Sequence, residues 1–343
     1  MNTCNNAIQL LKRMIAIPSI SRQEEKLADM LQQYMLEQGC NVMRHNNNLM
    51  AKSNNFNNQK PAILLNAHID TVKPVDSWAT NPFEPVEKDG AIYGLGANDC
   101  GGGLVALLHT FLMLKDKKDN LVFLASAEEE VSGKNGIESV IPLLPNIDFA
   151  IVGEPTGMQP AIAEKGLMVI DATAEGLSGH AARNEGINAI YIAIDDINWL
   201  RNYKFDKVSE LLGPVKATTT VIQAGTQHNV IPDKCHFTID IRSNECYSNE
   251  EIFNILKEHM KSKLTPRSFR LASSHIDIKH TFVQKCMALG KIPFGSPTLS
   301  DQALMPFPSL KMGPGKSERS HTANEFIKID EINDAIQTYL QLL

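Results

Sequence analysis

The chain has 343 residues, a formal net charge of −6, and 43% hydrophobic, 6% aromatic and 21% charged residues, the make-up of a globular protein long enough for two domains. The acidic balance leaves no basic footprint for nucleic acid, no run of 18 apolar residues predicts a membrane span, and Met1-Asn2-Thr3-Cys4-Asn5-Asn6 lacks the charged and apolar regions of a secretory signal. A cytoplasmic location is expected. The six scattered cysteines (Cys4, Cys40, Cys100, Cys235, Cys246, Cys286) form no Cys-x-x-Cys pair and are expected to be reduced.

In chain order, Ile8, Leu11, Met14 and Ile15 recur at helical spacing up to Pro18. Ser21 and Glu24 then have capping-box spacing ahead of a second stripe, Leu27, Met30, Leu31, Tyr34 and Met35, which Gly39 closes. Residues 44–60, rich in asparagine, are expected to be loop and edge structure. The apolar run that follows reads as a buried strand and ends in His68 and Asp70. Side chains two apart on a strand share a face, so the Asp70 carboxylate can accept from one imidazole nitrogen and leave the other for a metal.

Beyond a proline-interrupted connection, the glycines around Asp99 do not make a phosphate-binding fingerprint, because aspartate stands where a glycine is required and no lysine follows. They let the backbone approach closely while one carboxylate is presented at the start of a helix over about 104–114. Asp99 is there either a ligand or a simple helix N-terminal acid. Leu121–Ser126 is a further buried strand and runs into Glu128-Glu129-Glu130, and residues 149–153 run into Glu154. Three buried strands thus end in histidine or carboxylates, at the strand ends where open α/β sheets bind ligands. A dication would neutralise the glutamate cluster, although Glu128 also suits a solvated turn.

From residue 166 the predicted order is strand 166–174, helix 188–203, strands 217–223 and 235–242, helix 250–263 and strand 268–278, a ferredoxin-like plan. The expected fold is therefore α/β: a mixed sheet flanked by helices from residues 1–165 and 279–343, with an inserted α+β domain at 166–278. The chain closes on a helix with an Ile332, Ala335, Ile336, Tyr339 and Leu340 stripe.

Six segments, Ala67–Val72, Gly94–Asp99, Ala127–Glu130, Val152–Thr156, Ser178–Ala182 and His321–Glu325, resemble in order the motifs of the zinc metallohydrolases that include acetylornithine deacetylase, succinyl-diaminopimelate desuccinylase, aminoacylase and glutamate carboxypeptidase. The resemblance spans essentially the whole chain. It implies a zinc-peptidase-like fold and two Zn2+ ions, for which Co2+ can substitute, bridged by Asp99. His68 and Glu154 would complete one site, Glu130 and His321 the other, with Asp70 orienting His68 and Glu129 as general base. Three protein ligands and an open position per metal suit a catalytic site, and dications roughly 3.5–4 Å apart can activate a shared water.

The resemblance also implies a homodimer through the inserted domain, in which His180 reaches the partner's active site, and a substrate α-carboxylate held by Asn229 and Arg242. Its closest branch is acetylornithine deacetylase, acting on N-acyl ornithine or citrulline in arginine biosynthesis. Alternatives are a desuccinylase, a di- or tripeptidase, and a catalytically silent binding homologue. Glutamate rather than aspartate at Glu154 speaks for a deacylase. Two departures stand out: Cys100-Gly101-Gly102-Gly103 after the bridging aspartate, with Cys100 expected to pack under the site, and Asn66 where many members have glycine.

Overall fold

Strands that are apolar on both faces need cover on both, and the first compact unit, Met1–Ile162 with Ile276–Phe294 and Ser300–Leu343, is built around such strands. The computed structural model describes residues 3–118 and 120–343; the expectations placed on Met1, Asn2 and the Cys4 thiol lie outside the described residues. Val42–His45, Asn48–Lys52, Leu121–Ser126, Ala62–His68, Ile147–Val152 and Ser309–Lys311 lie side by side in one mixed sheet. Ala62–His68 sits between Leu121–Ser126 and Ile147–Val152 and is parallel to both, with His68 opposite Ser126 and Asn66 opposite Val152. Parallel neighbours end at the same edge, so the polar residues that close these three strands emerge together.

Alternation along the strands divides the core. Leu65, Ala67, Phe123 and Ile151 face one cluster, which also contains Leu11, Leu104, Phe111 and Tyr339 from the helices Thr3–Ile15, Gly102–Leu114 and Ile329–Leu342. Leu64, Val122, Leu124 and Ala150 face the other, with Ile137 and Val140. The stretch Ala97–Leu114 is long and apolar enough by composition to cross a membrane, yet 83% of it is buried inside the fold, as suits a core helix.

Two local expectations change. The asparagine-rich segment is a hairpin in which Val42–His45 pairs antiparallel with Asn48–Lys52, turned at Asn46 with φ +53°, a conformation that asparagine tolerates. Only Val42–His45 is an edge; Asn48–Lys52 is interior to the sheet. Ser21 does not cap the second helix, which spans Glu25–Glu37. Its hydroxyl donates instead to Asp70 Oδ2 at 2.7 Å, a charge-assisted bond that holds the side chain toward the strand end and away from the helix start. At the far end of that helix Gly39, at φ +74°, closes it as expected.

The second unit, Ala163–His275 with Gly295–Leu299, is an α+β module. Its sheet runs Lys216–Ala224, Lys234–Arg242, Met168–Glu175, Lys263–Pro266, every pair antiparallel. Helices Ala189–Asn202 and Asn249–His259 bury Ala193, Leu200, Ile252 and Leu256 against it. This is the ferredoxin-like order, but its last strand is Lys263–Pro266 rather than 268–278. Asp196 sets that strand early: its carboxylate accepts from Lys261 N at 2.9 Å, Ser262 N at 2.8 Å and Ser262 Oγ at 2.6 Å, pinning the chain just past the helix.

The glycine run after Asp99 has a packing cause. A Cβ on Gly103 would lie 1.7 Å from the Gly153 carbonyl oxygen, and one on Gly101 would lie 2.4 Å from that of Gly96. The helix that follows Asp99 thus lies directly on the strand end that carries Glu154. Gly103→Ala is expected to destabilise the protein by about 1–3 kcal/mol through overpacking, read as a lower urea midpoint; an unchanged midpoint would contradict this contact.

Candidate metal centre

His68, 2% exposed, ends its strand with both ring nitrogens engaged. Nδ1–H donates to the Asp70 carbonyl at 2.9 Å, with Asp70 Oδ1 further off at 3.5 Å. The backbone carbonyl, more than the carboxylate, therefore orients the ring. Nε2 faces Asp99 Oδ1 at 3.2 Å and Glu154 Oε1 at 3.5 Å. Burial pulls the imidazole toward neutrality, but hydrogen bonds to the Asp70 and Asp99 carboxylates outweigh it and raise the pKa well above the ordinary histidine value.

The Asp70 carboxylate mainly holds the opposite loop. Besides Ser21 it accepts from the backbone N–H of Glu129 at 3.0 Å and of Glu130 at 3.1 Å, at the first turn after Leu121–Ser126. Burial alone would raise its pKa; hydrogen bonding and charge from His68, with Ser21 and Glu129, lower it instead. Glu325, 2% exposed, does the same for the Asp99 turn, accepting from Gly96 N at 3.2 Å, Asn98 N at 2.7 Å and Asp99 N at 2.9 Å. Burial pushes its carboxyl up to about 7. Neither Ser21 nor Glu325 was singled out as a site residue. The signal for Glu325 was its place at the end of the His321 motif, where sequence alone assigned it no role.

Across the centre, His321 Nε2 lies 2.9 Å and 3.1 Å from the two Glu130 oxygens and 3.6 Å from Asp99 Oδ2. The Glu130 hydrogen bond pushes His321 up to about 9. Burial and the Asp99 charge push Glu154 up to about 8, and its Oε1 is buried without a hydrogen-bond donor. Glu129 stands well above the ordinary carboxylate range, through burial and then Glu154, Asp301 and Glu130, with His68 opposing.

This donor set fits two dications. Carboxylates outnumber imidazoles, an orphaned buried oxygen points inward, and each half offers three nitrogen or oxygen ligands: His68, Glu154 and Asp99 Oδ1 in one, His321, Glu130 and Asp99 Oδ2 in the other. Cys100 lies within ligand distance of His68 and Glu154. Its thiol, 1% exposed, is pushed up to about 12 by burial and donates to the His68 carbonyl at 3.8 Å. It packs beneath the ring as an uncharged group. The Asp99–Cys100 peptide is cis.

Two neighbours are explained by packing. Asn66 donates to Ser126 Oγ at 2.9 Å, and Ser126 donates onward to Asp301 at 2.5 Å. Glu128 is not in a solvated turn: it is 7% exposed at φ +55°, and its carboxylate accepts from Asn135 Nδ2 at 3.0 Å.

His180, Asn229 and Arg242 belong to the second unit. Exposed His180 pairs with Val230 in a short antiparallel ladder, and Ala181 N–H donates to the Asn229 carbonyl at 3.0 Å, so His180 and Asn229 are neighbours. Arg242 sits apart at a strand end. Its guanidinium forks onto Asp240, Nε to Oδ1 at 2.9 Å and a terminal nitrogen to Oδ2 at 3.2 Å, so the donors expected to take a substrate carboxylate here hold a neighbouring one.

The family model for Peptidase family M20/M25/M40 matches residues 64–343. Succinyl-diaminopimelate desuccinylase of Nautilia profundicola is 30% identical over 271 residues, covering 75% of this chain and 73% of that protein. The enzyme of the same name from Corynebacterium glutamicum is 27% identical over 376 aligned positions, covering 100% and 97%. In fold the chain is similar to a tripeptidase from Staphylococcus aureus, with TM-score 0.79 and 22% identity over 100% of this chain and 98% of that one. It is also similar to a dinuclear metal binding peptidase of the M20 family from Bacillus subtilis, with TM-score 0.74 and 18% identity over 99% and 97%. The chain belongs to peptidase family M20/M25/M40 and is a metallohydrolase acting on amide bonds.

Proposed function

We propose that this metallohydrolase is dinuclear, binds zinc, and removes a small acyl group from the nitrogen of an amino acid. N-succinyl-diaminopimelate is the first substrate to test, on the strength of the desuccinylase relatives, and N-acetylornithine, from the branch the motifs resemble, is the second. The observation that carries the reading is Asp99, whose two oxygens face the His68 and His321 rings separately, while Asp70 holds the Glu129 backbone amide.

Bound zinc supplies a Lewis acid for the amide carbonyl and brings a water toward a pKa of about 7. The chain does the rest. Glu129 takes the water proton on its carboxylate and returns it to the leaving nitrogen. Asp70 fixes Glu129 and Glu130 through their amides, Glu325 fixes the Asp99 turn, and the exposed imidazole of His180 supplies a donor to the developing oxyanion.

His180 acts in trans in a two-fold homodimer. Support comes from Val221 and Ile222, 48% and 52% exposed on the edge strand Lys216–Ala224, and from Tyr191 and Ile194, 68% and 41% exposed on the adjoining helix. An open apolar edge invites a second copy. A cytoplasmic setting belongs to the same proposal, supported by free Cys40, Cys100, Cys235, Cys246 and Cys286.

Glu129→Gln is expected to retain its metal and lose roughly 10²–10⁴-fold in rate; mixed with His180→Ala it recovers activity, and no recovery after proven subunit exchange contradicts the role in trans. The function itself is tested by kcat/KM across N-succinyl-diaminopimelate, N-acetylornithine, N-acyl citrulline and unblocked dipeptides. The N-acyl amino acids should lead, and dipeptides hydrolysed far faster would replace the deacylase with a peptidase.

A further inference from the structure

Beyond Glu154 the first unit holds an open groove of about 680 Å³, lined by Thr156, Gln159, Ile292, Lys316 and Ser317 among others. Lys316 is tied by its backbone to both segments that carry ligand candidates. Its N–H donates to Asn98 Oδ1 at 3.1 Å and its carbonyl accepts from Asn98 Nδ2 at 3.0 Å, one residue from Asp99. It also forms an antiparallel bridge with Thr156, two residues past Glu154, and the neighbouring Gly157 N–H donates to Gly315 O at 2.7 Å.

The side chain of Lys316, in contrast, is exposed. Its ammonium makes no ion pair among the described residues, not even with Glu318 on the same wall. Gln159 Oε1 accepts from Ile292 N at 2.7 Å, which turns the remaining valence of that amide, two N–H donors, to other partners. Ile292, 71% exposed, adds an apolar wall. A lysine fixed at its backbone, amide donors and a short apolar wall suit one carboxylate on a short aliphatic chain.

On the amidohydrolase reading above, we infer that Lys316 anchors the terminal carboxylate of a dicarboxylic acyl group, so that this chain takes succinyl-type rather than acetyl-type substrates. The lengths permit the contact: the two carboxyl carbons of an extended succinyl group are about 4 Å apart and a lysine side chain spans about 6 Å, while the Lys316 backbone is bonded to the side chain of Asn98, the residue before Asp99. An acetyl group offers the ammonium nothing.

The test uses metal-loaded full-length protein and matched N-succinyl and N-acetyl derivatives of one amino acid. Lys316→Ala should lower the succinyl-to-acetyl ratio of kcat/KM by about 10- to 100-fold, mostly through KM, and Lys316→Arg should restore it. An unchanged ratio, or a wild type that cleaves only acetyl substrates, overturns the assignment. Calorimetric titration with succinate supplies a second readout independent of turnover: binding should weaken by about tenfold or more in Lys316→Ala, and equal binding overturns the inference. If wild type cleaves no N-acyl amino acid yet binds succinate through Lys316, the amidohydrolase reading fails and the carboxylate site stands.

Discussion

Asp99, Glu129, Glu130 and Glu154 crowd their carboxylates around the buried ring of His68 and the half-exposed ring of His321, and this excess of negative charge is the constraint to which the rest of the first unit answers. Such a group stays together only if each carboxylate is placed by its backbone rather than by its neighbours. Two further buried carboxylates do the placing. Asp70 gathers the amides of Glu129 and Glu130, and Glu325 gathers those of Gly96, Asn98 and Asp99. Charge-assisted bonds to backbone amides are strong and directional, so the loops are fixed and the inward oxygens, including the orphaned Glu154 Oε1, remain for cations.

The sheet supplies the starting points. Because Ala62–His68 is parallel to both neighbours, three strand ends meet at one edge, and the helix that begins after Asp99 crosses that edge closely enough for Gly103 to touch the Gly153 backbone. Position and chemistry are linked there. A side chain at Gly103 would disturb the strand end that carries Glu154 and the turn that carries Asp99 together.

Much of this was legible in the sequence. Apolar runs that end in His68, Glu128 to Glu130 and Glu154 mark buried parallel strands whose polar ends meet at one sheet edge, because the runs and their ends follow from local pattern. What depended on long-range partners was not legible. Ser21 has capping-box spacing, but Asp70, 49 residues away, takes its hydroxyl. Glu128 looks like its two neighbours, and only a backbone at φ +55° turns it into a buried pocket of its own. The last strand of the second unit starts at Lys263 because Asp196 catches the chain 65 residues on, which no window of local hydrophobicity records. Arg242 kept its place at a strand end, but Asp240, two residues earlier on the same face, occupies its fork.

The central claim is that Asp99 joins two metal ions. Metal analysis by mass spectrometry on purified protein, after reconstitution with zinc and removal of loosely bound ions, tests it most directly, with Asp99→Ala alongside. The account predicts two zinc ions per wild-type chain and no more than one in the variant. A wild type that holds one ion or none under these conditions, or a variant that still holds two, would contradict it.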